Sequence, residues 1–239
     1  MLCPGANAWH GSHHGRLGGN LEQTRLYPAA TRSGSLSVYR ATKRAVDIGV
    51  ASVMLVVLSP VLLLIALAIW LDSGLPIIYR CERLGRFGRP ITVLKFRTMR
   101  DGSHHHLQDL LSADEMRALE YTVNRKLRDD PRRTRVGTFL RRTSLDELPQ
   151  LLNVLSGQMS MIGPRPYFAD EMLQRPEAAE ILAVRPGITG LWQVNGRSDR
   201  TFEERIGYDL EYVRDRRLSL DLRIAGRTFI AVLSAQGAY

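Results

Sequence analysis

Two carboxylates stand side by side in Arg141-Arg142-Thr143-Ser144-Leu145-Asp146-Glu147-Leu148-Pro149-Gln150. Asp146 and Glu147 can act as reagents, by nucleophilic attack or proton transfer. They can equally be parts of a helix start. Ser144 and Glu147 have the spacing of a capping box, with Asp146 in a first turn where the helix dipole favours an anion. Pro149 disfavours helical geometry at Leu148, so a helix starting at Pro149 would leave both acids in the preceding loop. In either case Leu151, Leu152, Val154 and Leu155 supply a buried face and Gly157 a stop.

Downstream, Gly163-Pro164-Arg165-Pro166 sets one arginine between two prolines. Prolines fix the backbone, and a guanidinium on a stiff mount suits bidentate phosphate binding. The chain also carries 33 Lys and Arg against 24 Asp and Glu, a net charge of +9. That balance points to an anionic partner: nucleic acid, anionic lipid or a phosphorylated substrate.

These groups need a scaffold. Ile48 to Leu71 runs for 24 residues without a charge. As a straight helix it would reach roughly 36 Å at about 1.5 Å per residue, enough to cross a bilayer. Pro60 interrupts it. It has no N–H for the carbonyl of Val56, so a kink is expected there, softened by a hydrogen bond from Ser59 into the preceding turn. Both flanks are basic, with Arg40, Lys43 and Arg44 before and Arg80, Arg83, Arg86 and Arg89 after. The positive-inside rule therefore favours a segment that enters, bends at Pro60 and returns over a Pro-kinked crossing helix.

The rest reads as α+β. Pro76 to Tyr79 and Ile91 to Phe96 are predicted strands joined by the loop CERLGRFGRP, and 101–126 is predicted to be a polar helical insert. The basic run Arg125 to Arg142 reads as a solvated face or one resting on lipid headgroups. Two helices follow from 201, the first with Phe202, Ile206, Leu210 and Val213 at helical spacing. Leu218 to Leu233 is too short and too charged to cross comfortably, and reads as interfacial or packed on the domain. The expected division is a mobile leader over 1–37, a re-entrant membrane helix over 38–72 and a catalytic domain over 73–239. His10, His13 and His14 in the leader and the triplet His104-His105-His106 read as solvated rather than metal-binding, since consecutive helical residues cannot face one ion. Cys3 and Cys81 have no metal or disulfide spacing.

Four stretches in order, LSPVLLLIALAIW, YRCERLGRFGRPITVLKFRTM, TSLDELPQLLNVLSGQMSMIGPRP and RPGITGLWQVNGR, resemble the bacterial sugar transferases, the monotopic phosphoglycosyl transferases. The likeness covers Tyr39 to Tyr239. Such enzymes move a sugar 1-phosphate from a UDP-sugar to polyprenyl phosphate and release UMP. The resemblance implies Asp146 as nucleophile and Mg²⁺ ligand, Glu147 as its assistant, and Arg165 as holder of the polyprenyl phosphate. It further implies that Lys95 and Arg97 line the cleft and that Arg185, Gln193, Asn195 and Arg197 contact the nucleotide sugar, although Pro186-Gly187 and Asn195-Gly196 are turn signals in their own right. It implies a membrane helix broken at Ser59-Pro60 and a place on the cytoplasmic face of the bacterial inner membrane, against lipid. It allows a homodimer.

Two other readings compete. A membrane-tethered nucleic-acid binder would use the charge, but aromatics are 7% and no recognition motif is present, so no nucleic-acid partner is expected. An inactive scaffold would not need the intact Asp146-Glu147 pair.

Overall fold

The computed structural model describes residues 34–100, 103–124, 127, 129–196 and 200–234. Most of the expected leader, with its three histidines, lies outside them. The chain is α+β, and its first described element begins inside the leader: helix α1 runs Gly34–Val57 and α2 runs Ser59–Ser73. The pair bends by 63° at the break between them. Ser59 Oγ donates to Val56 O at 2.8 Å, serving the carbonyl that Pro60 cannot. Among the described residues no single helix is long and apolar enough to cross a membrane, whereas this bent pair meets the length and hydropathy requirement together.

Polar side chains dock α1 on the domain. Asp47 is buried and accepts from Ser160 Oγ at 2.8 Å and Met161 N at 3.0 Å. Arg44 donates to the carbonyls of Val154 and Leu155, at 2.6 and 3.0 Å. Those carbonyls end helix α6 (Gln150–Leu155), where a cation suits the negative end of the dipole. Past Ile48 the outward residues are apolar and exposed, among them Val53, Val56, Leu63, Leu64 and Leu71.

Strands β1 (Ile78–Leu84) and β2 (Pro90–Phe96) form an antiparallel hairpin with Ile78 opposite Phe96 and Leu84 opposite Pro90. The first strand is longer than expected and lies further along. The residues Cys-Glu-Arg-Leu belong to it rather than to the loop: they pair across to β2, from Cys81 opposite Val93 to Leu84 opposite Pro90, and Cys81 and Leu84 are both buried. Arg97, just past β2, donates to the carbonyls of Ser73, Gly74 and Leu75 at 2.5, 2.6 and 2.9 Å. It thereby caps α2 and ties the bent pair to the sheet.

Helices α3 (Ser103–Ala113) and α4 (Glu115–Asn124) form the insert, with His104–His106 in α3. Helix α5 (Arg135–Thr143) starts at Thr134, whose hydroxyl accepts from Gly137 N at 2.9 Å. Gly137 is required: a Cβ there would lie 2.1 Å from Thr98 O, so α5 could not approach the segment after β2. The basic run is not simply a solvated face. Arg132 is buried and holds buried Asp130 through bonds of 2.7 and 2.6 Å.

Strand β3 (Ser160–Ile162) pairs in parallel with β4 (Gly187–Thr189). Between them lie the short helices α7 (Ala169–Met172) and α8 (Ala178–Ile181). Helices α9 (Phe202–Asp215) and α10 (Leu218–Ser234) close the described chain. Ile206, with Phe202 and Leu210 against it, joins a core with Leu84, Tyr167 and Met172. Val213 packs with Leu220 and Ile224 of α10, which leaves Leu222, Phe229 and Ile230 exposed on that helix.

Candidate active site

A cleft of about 1540 Å³ receives Lys95 from β2, Asp146 and Glu147 from the turn after α5, and Arg165 from the segment after β3. The turn does not use a capping box. Ser144 ends α5 in the left-handed conformation, φ +60°, with no side-chain cap bond, and Leu145–Glu147 form a single 3-10 turn. Helix α6 then begins at Gln150 with Pro149 as its N-cap residue, near the alternative start. The left-handed residue reverses the chain and turns Asp146 inward.

Asp146 is 8% exposed. Burial pushes its carboxyl up to about 6; Lys95 pulls it down, Glu147 pushes it up and Arg141 pulls it down. Glu147 is half-buried and accepts from Lys95 Nζ at 2.6 Å. Arg141 donates from Nε to Thr98 Oγ1 at 3.0 Å, and burial pushes its guanidinium below the usual range while Asp146 supports its charge. One wall of the cleft is thus an acid pair set among Lys95, Arg141 and Arg132.

The arginine between the prolines is held by its backbone. Gly187 N donates to Pro164 O at 2.8 Å, and Arg165 N donates to Asp209 Oδ2 at 3.0 Å. Tyr167 Oη donates to the same oxygen at 2.7 Å. Asp209 is completely buried, and burial pushes its carboxyl up to about 7 against the pull of those donors. The Arg165 guanidinium stands 5.5 Å from the Trp192 ring centre. The remaining walls are apolar: Val46, Val50 and Met54 of α1, and Leu218, Leu222 and Phe229 of α10.

The other residues expected at the site divide. Gln193 lines the cleft and donates to Ile188 O at 3.1 Å. Arg97 lines it too, but its guanidinium holds the α2 carbonyls. Asn195 closes its own turn on Leu191 O at 2.9 Å and does not line the cleft. Arg185 faces a separate, smaller cavity. Arg197 lies outside the described residues.

A profile of the bacterial sugar transferases matches residues 38–235. The chain belongs to that family. Three sugar transferase relatives illustrate its range. The exopolysaccharide production protein ExoY of Sinorhizobium fredii is 42% identical over 83% of this chain and 88% of its own length. The undecaprenyl-phosphate galactose phosphotransferase of Salmonella typhimurium is 41% identical over 84% of this chain and 42% of its own. The UDP-glucose:undecaprenyl-phosphate glucose-1-phosphate transferase of Escherichia coli has the same three figures, 41%, 84% and 42%. The chain therefore spans about two fifths of the length of these two transferases. Overall identity does not separate galactose from glucose.

Arg132, Asp130, Arg141 and Asp209 were not singled out from the sequence as site residues. Arg132 and Arg141 are hidden within a basic run, 125–142, in which ten of eighteen residues are charged. Asp209 sits in a helix whose apolar spacing draws attention away from it. In the sugar transferase fold these four groups supply the charge and the mounts around Asp146 and Arg165.

Proposed function

We propose that this chain transfers a hexose 1-phosphate from a UDP-sugar to polyprenyl (undecaprenyl) phosphate and releases UMP, the first membrane step of exopolysaccharide synthesis. The observation that carries the reading is one cleft with two characters. Asp146, Glu147, Lys95 and Arg165 share it with apolar walls from α1 and α10. A lipid phosphate needs both, a cationic seat for its head and an oily wall for its chain.

In the proposed sequence a carboxylate oxygen of Asp146 attacks the β-phosphorus of the UDP-sugar. A P–O bond forms to Asp146, and the bond to the bridging oxygen breaks. UMP leaves with that oxygen and the electron pair. An oxygen of the acceptor phosphate then attacks the same phosphorus, forming the lipid-linked diphosphate sugar and returning Asp146 as carboxylate. Glu147, oriented by Lys95, is placed to accept a proton from an acceptor phosphate that arrives protonated. Arg165, on its fixed backbone, holds the acceptor phosphate. Lys95 and Arg141 favour the anionic form of Asp146.

Mg²⁺ suits this donor set. Asp146 offers a hard oxygen, with the Glu147 carboxylate beside it in the same cleft. That fits an ion held by one or two carboxylates together with substrate phosphates and water. Bound there, Mg²⁺ would neutralise diphosphate charge and ease departure of the leaving group.

The bent α1–α2 pair is read as a re-entrant segment in the cytoplasmic leaflet of the inner membrane. Its exposed apolar face and basic flanks support this, and the exposed Leu222, Phe229 and Ile230 suit an interfacial α10. The test is UMP release by the detergent-solubilised protein with Mg²⁺, undecaprenyl phosphate and a panel of UDP-sugars, with Asp146→Asn as blank. Release with one sugar and none in the blank supports the proposal and names the donor. Absence of release with every donor favours a scaffold.

A further inference from the structure

The smaller cavity, about 80 Å³, lies against the first turns of α1. That is the space of two or three waters at about 30 Å³ each, enough for one tetrahedral oxyanion and too small for a nucleotide. Its walls carry five guanidiniums, those of Arg40, Arg44, Arg86, Arg185 and Arg216.

Backbone carbonyls hold most of them in place. Arg86 Nε donates to Ala183 O at 3.0 Å and Arg185 Nε to Gly157 O at 2.8 Å. Arg216 donates to Val213 O, and Arg44 to the end of α6. Among the described residues none of the five is paired with a carboxylate. Lys43 lines the cavity too, but is paired with Asp221 at 3.1 Å. The one acid in the wall, Asp47, accepts from Ser160 and Met161 through its two oxygens. Unpaired arginines gathered around a partly enclosed space repel one another, and a bound anion would relieve the repulsion. Burial and then the neighbouring cations push the Arg86 guanidinium below its usual range; burial and Arg44 do the same at Arg185, against the opposing pull of Asp47.

We propose that this cavity is a binding site for a phosphate group, separate from the Asp146 cleft. Guanidinium forks fit phosphate oxygens, and the donors come from four parts of the chain: α1, the β1–β2 turn, the segment before β4, and the α9–α10 junction. A bound phosphate would join the start of α1 to the body of the domain. The cavity lies one turn before the apolar run at Ile48, so an anionic phospholipid headgroup is one source of the phosphate. That source rests on the membrane reading above. A phosphate-bearing solute is the other.

The test uses the full chain, purified in detergent without phosphate. One arm titrates inorganic phosphate by calorimetry. The other measures binding to nanodiscs of phosphatidylcholine with and without phosphatidylglycerol. Arg86→Gln and Arg40→Gln are each compared with Arg165→Gln in the cleft and with Arg89→Gln, an exposed arginine outside both cavities. Arg40 makes no hydrogen bond or ion pair among the described residues, so its replacement keeps the test open if Arg86→Gln fails to fold. The site predicts binding about tenfold weaker in the cavity variants and unchanged in Arg89→Gln, while Arg165→Gln removes only the share of binding that belongs to the cleft. Arg40→Gln should also raise the unfolding temperature in phosphate-free buffer. Cavity-dependent binding of inorganic phosphate alone assigns a solute, and of phosphatidylglycerol alone assigns a headgroup; both support the site. Loss in Arg89→Gln equal to that in the cavity variants overturns it, as does loss confined to Arg165→Gln or binding in neither arm. UMP release does not enter these outcomes, so the site and the proposed reaction fail separately.

Discussion

Lys95 Nζ lies 2.6 Å from Glu147 Oε1, and the same lysine holds down the proton affinity of the adjacent, more deeply buried Asp146. One cation therefore serves both acids. It bonds to one and electrostatically favours the ionised form of the other. The adjacent acids are unequal in burial: Asp146 is 8% exposed and Glu147 is half-buried.

Replacing Lys95 by Met should lower turnover by about a hundredfold, the scale of losing one preorganised charge in a water-poor site. It should also move the acidic limb of the pH profile upward, because a cation near a carboxylate lowers its pKa. Lys95→Arg should restore part of both. A rate loss with an unmoved profile would mean that Lys95 acts elsewhere.

Asp146 also makes a stability prediction. Its folded carboxyl sits at about 6, above its ordinary value of 3.8. The native state thus binds the proton more tightly than the unfolded chain, and this group's contribution falls as pH rises from about 4 through 6. In metal-free buffer Asp146→Asn should match the wild type near pH 4 and be more stable by about 1–3 kcal/mol at pH 7.5. Thermal unfolding with chelator at the two pH values measures it. A variant less stable at pH 7.5 contradicts the burial argument.

Asp209 is predicted to act through Arg165. Asp209→Ala leaves the Arg165 amide and the Tyr167 hydroxyl without their acceptor, at about 1–3 kcal/mol each. The KM for the lipid acceptor should rise more than kcat falls, and Asp209→Asn, which keeps a carbonyl oxygen, should recover much of the loss. Equal loss in both variants, with an unchanged acceptor KM, would point to a merely structural residue.

The bend at Ser59-Pro60 was legible because a proline's missing N–H is a local fact, and so was the hydrogen bond that compensates it. Other features needed the whole chain. Ser144 has the letters of a capping residue, but the helix before it uses that position as a left-handed stop. The resemblance implies that Arg97 lines the cleft and that Arg185 contacts the nucleotide sugar. In the fold the carbonyls at the end of α2 claim one, and a different cavity claims the other. The strand containing Cys81 lacks a clean alternation, since Arg80, Glu82 and Arg83 interrupt its apolar residues. Arg141 and Asp209 become site residues only through contacts across the chain, with Thr98 and with Arg165 and Tyr167.

Pro60→Ala restores a donor to Val56 O and removes the ring clash, which favours a straight helix. A tag placed before residue 40 should then become accessible from outside in a fraction of molecules, and remain cytoplasmic in the wild type. A cytoplasmic tag in every variant molecule would mean that the basic flanks alone set the topology.

The most direct test is to incubate the protein with Mg²⁺ and its UDP-sugar in the absence of polyprenyl phosphate, quench rapidly and measure the intact mass. Asp146 as nucleophile predicts an adduct of one hexose phosphate, located by digestion to the peptide containing Asp146. Adding acceptor should discharge it, and Asp146→Asn should not form it. Full turnover by Asp146→Asn, or an adduct located on another residue, would contradict the account.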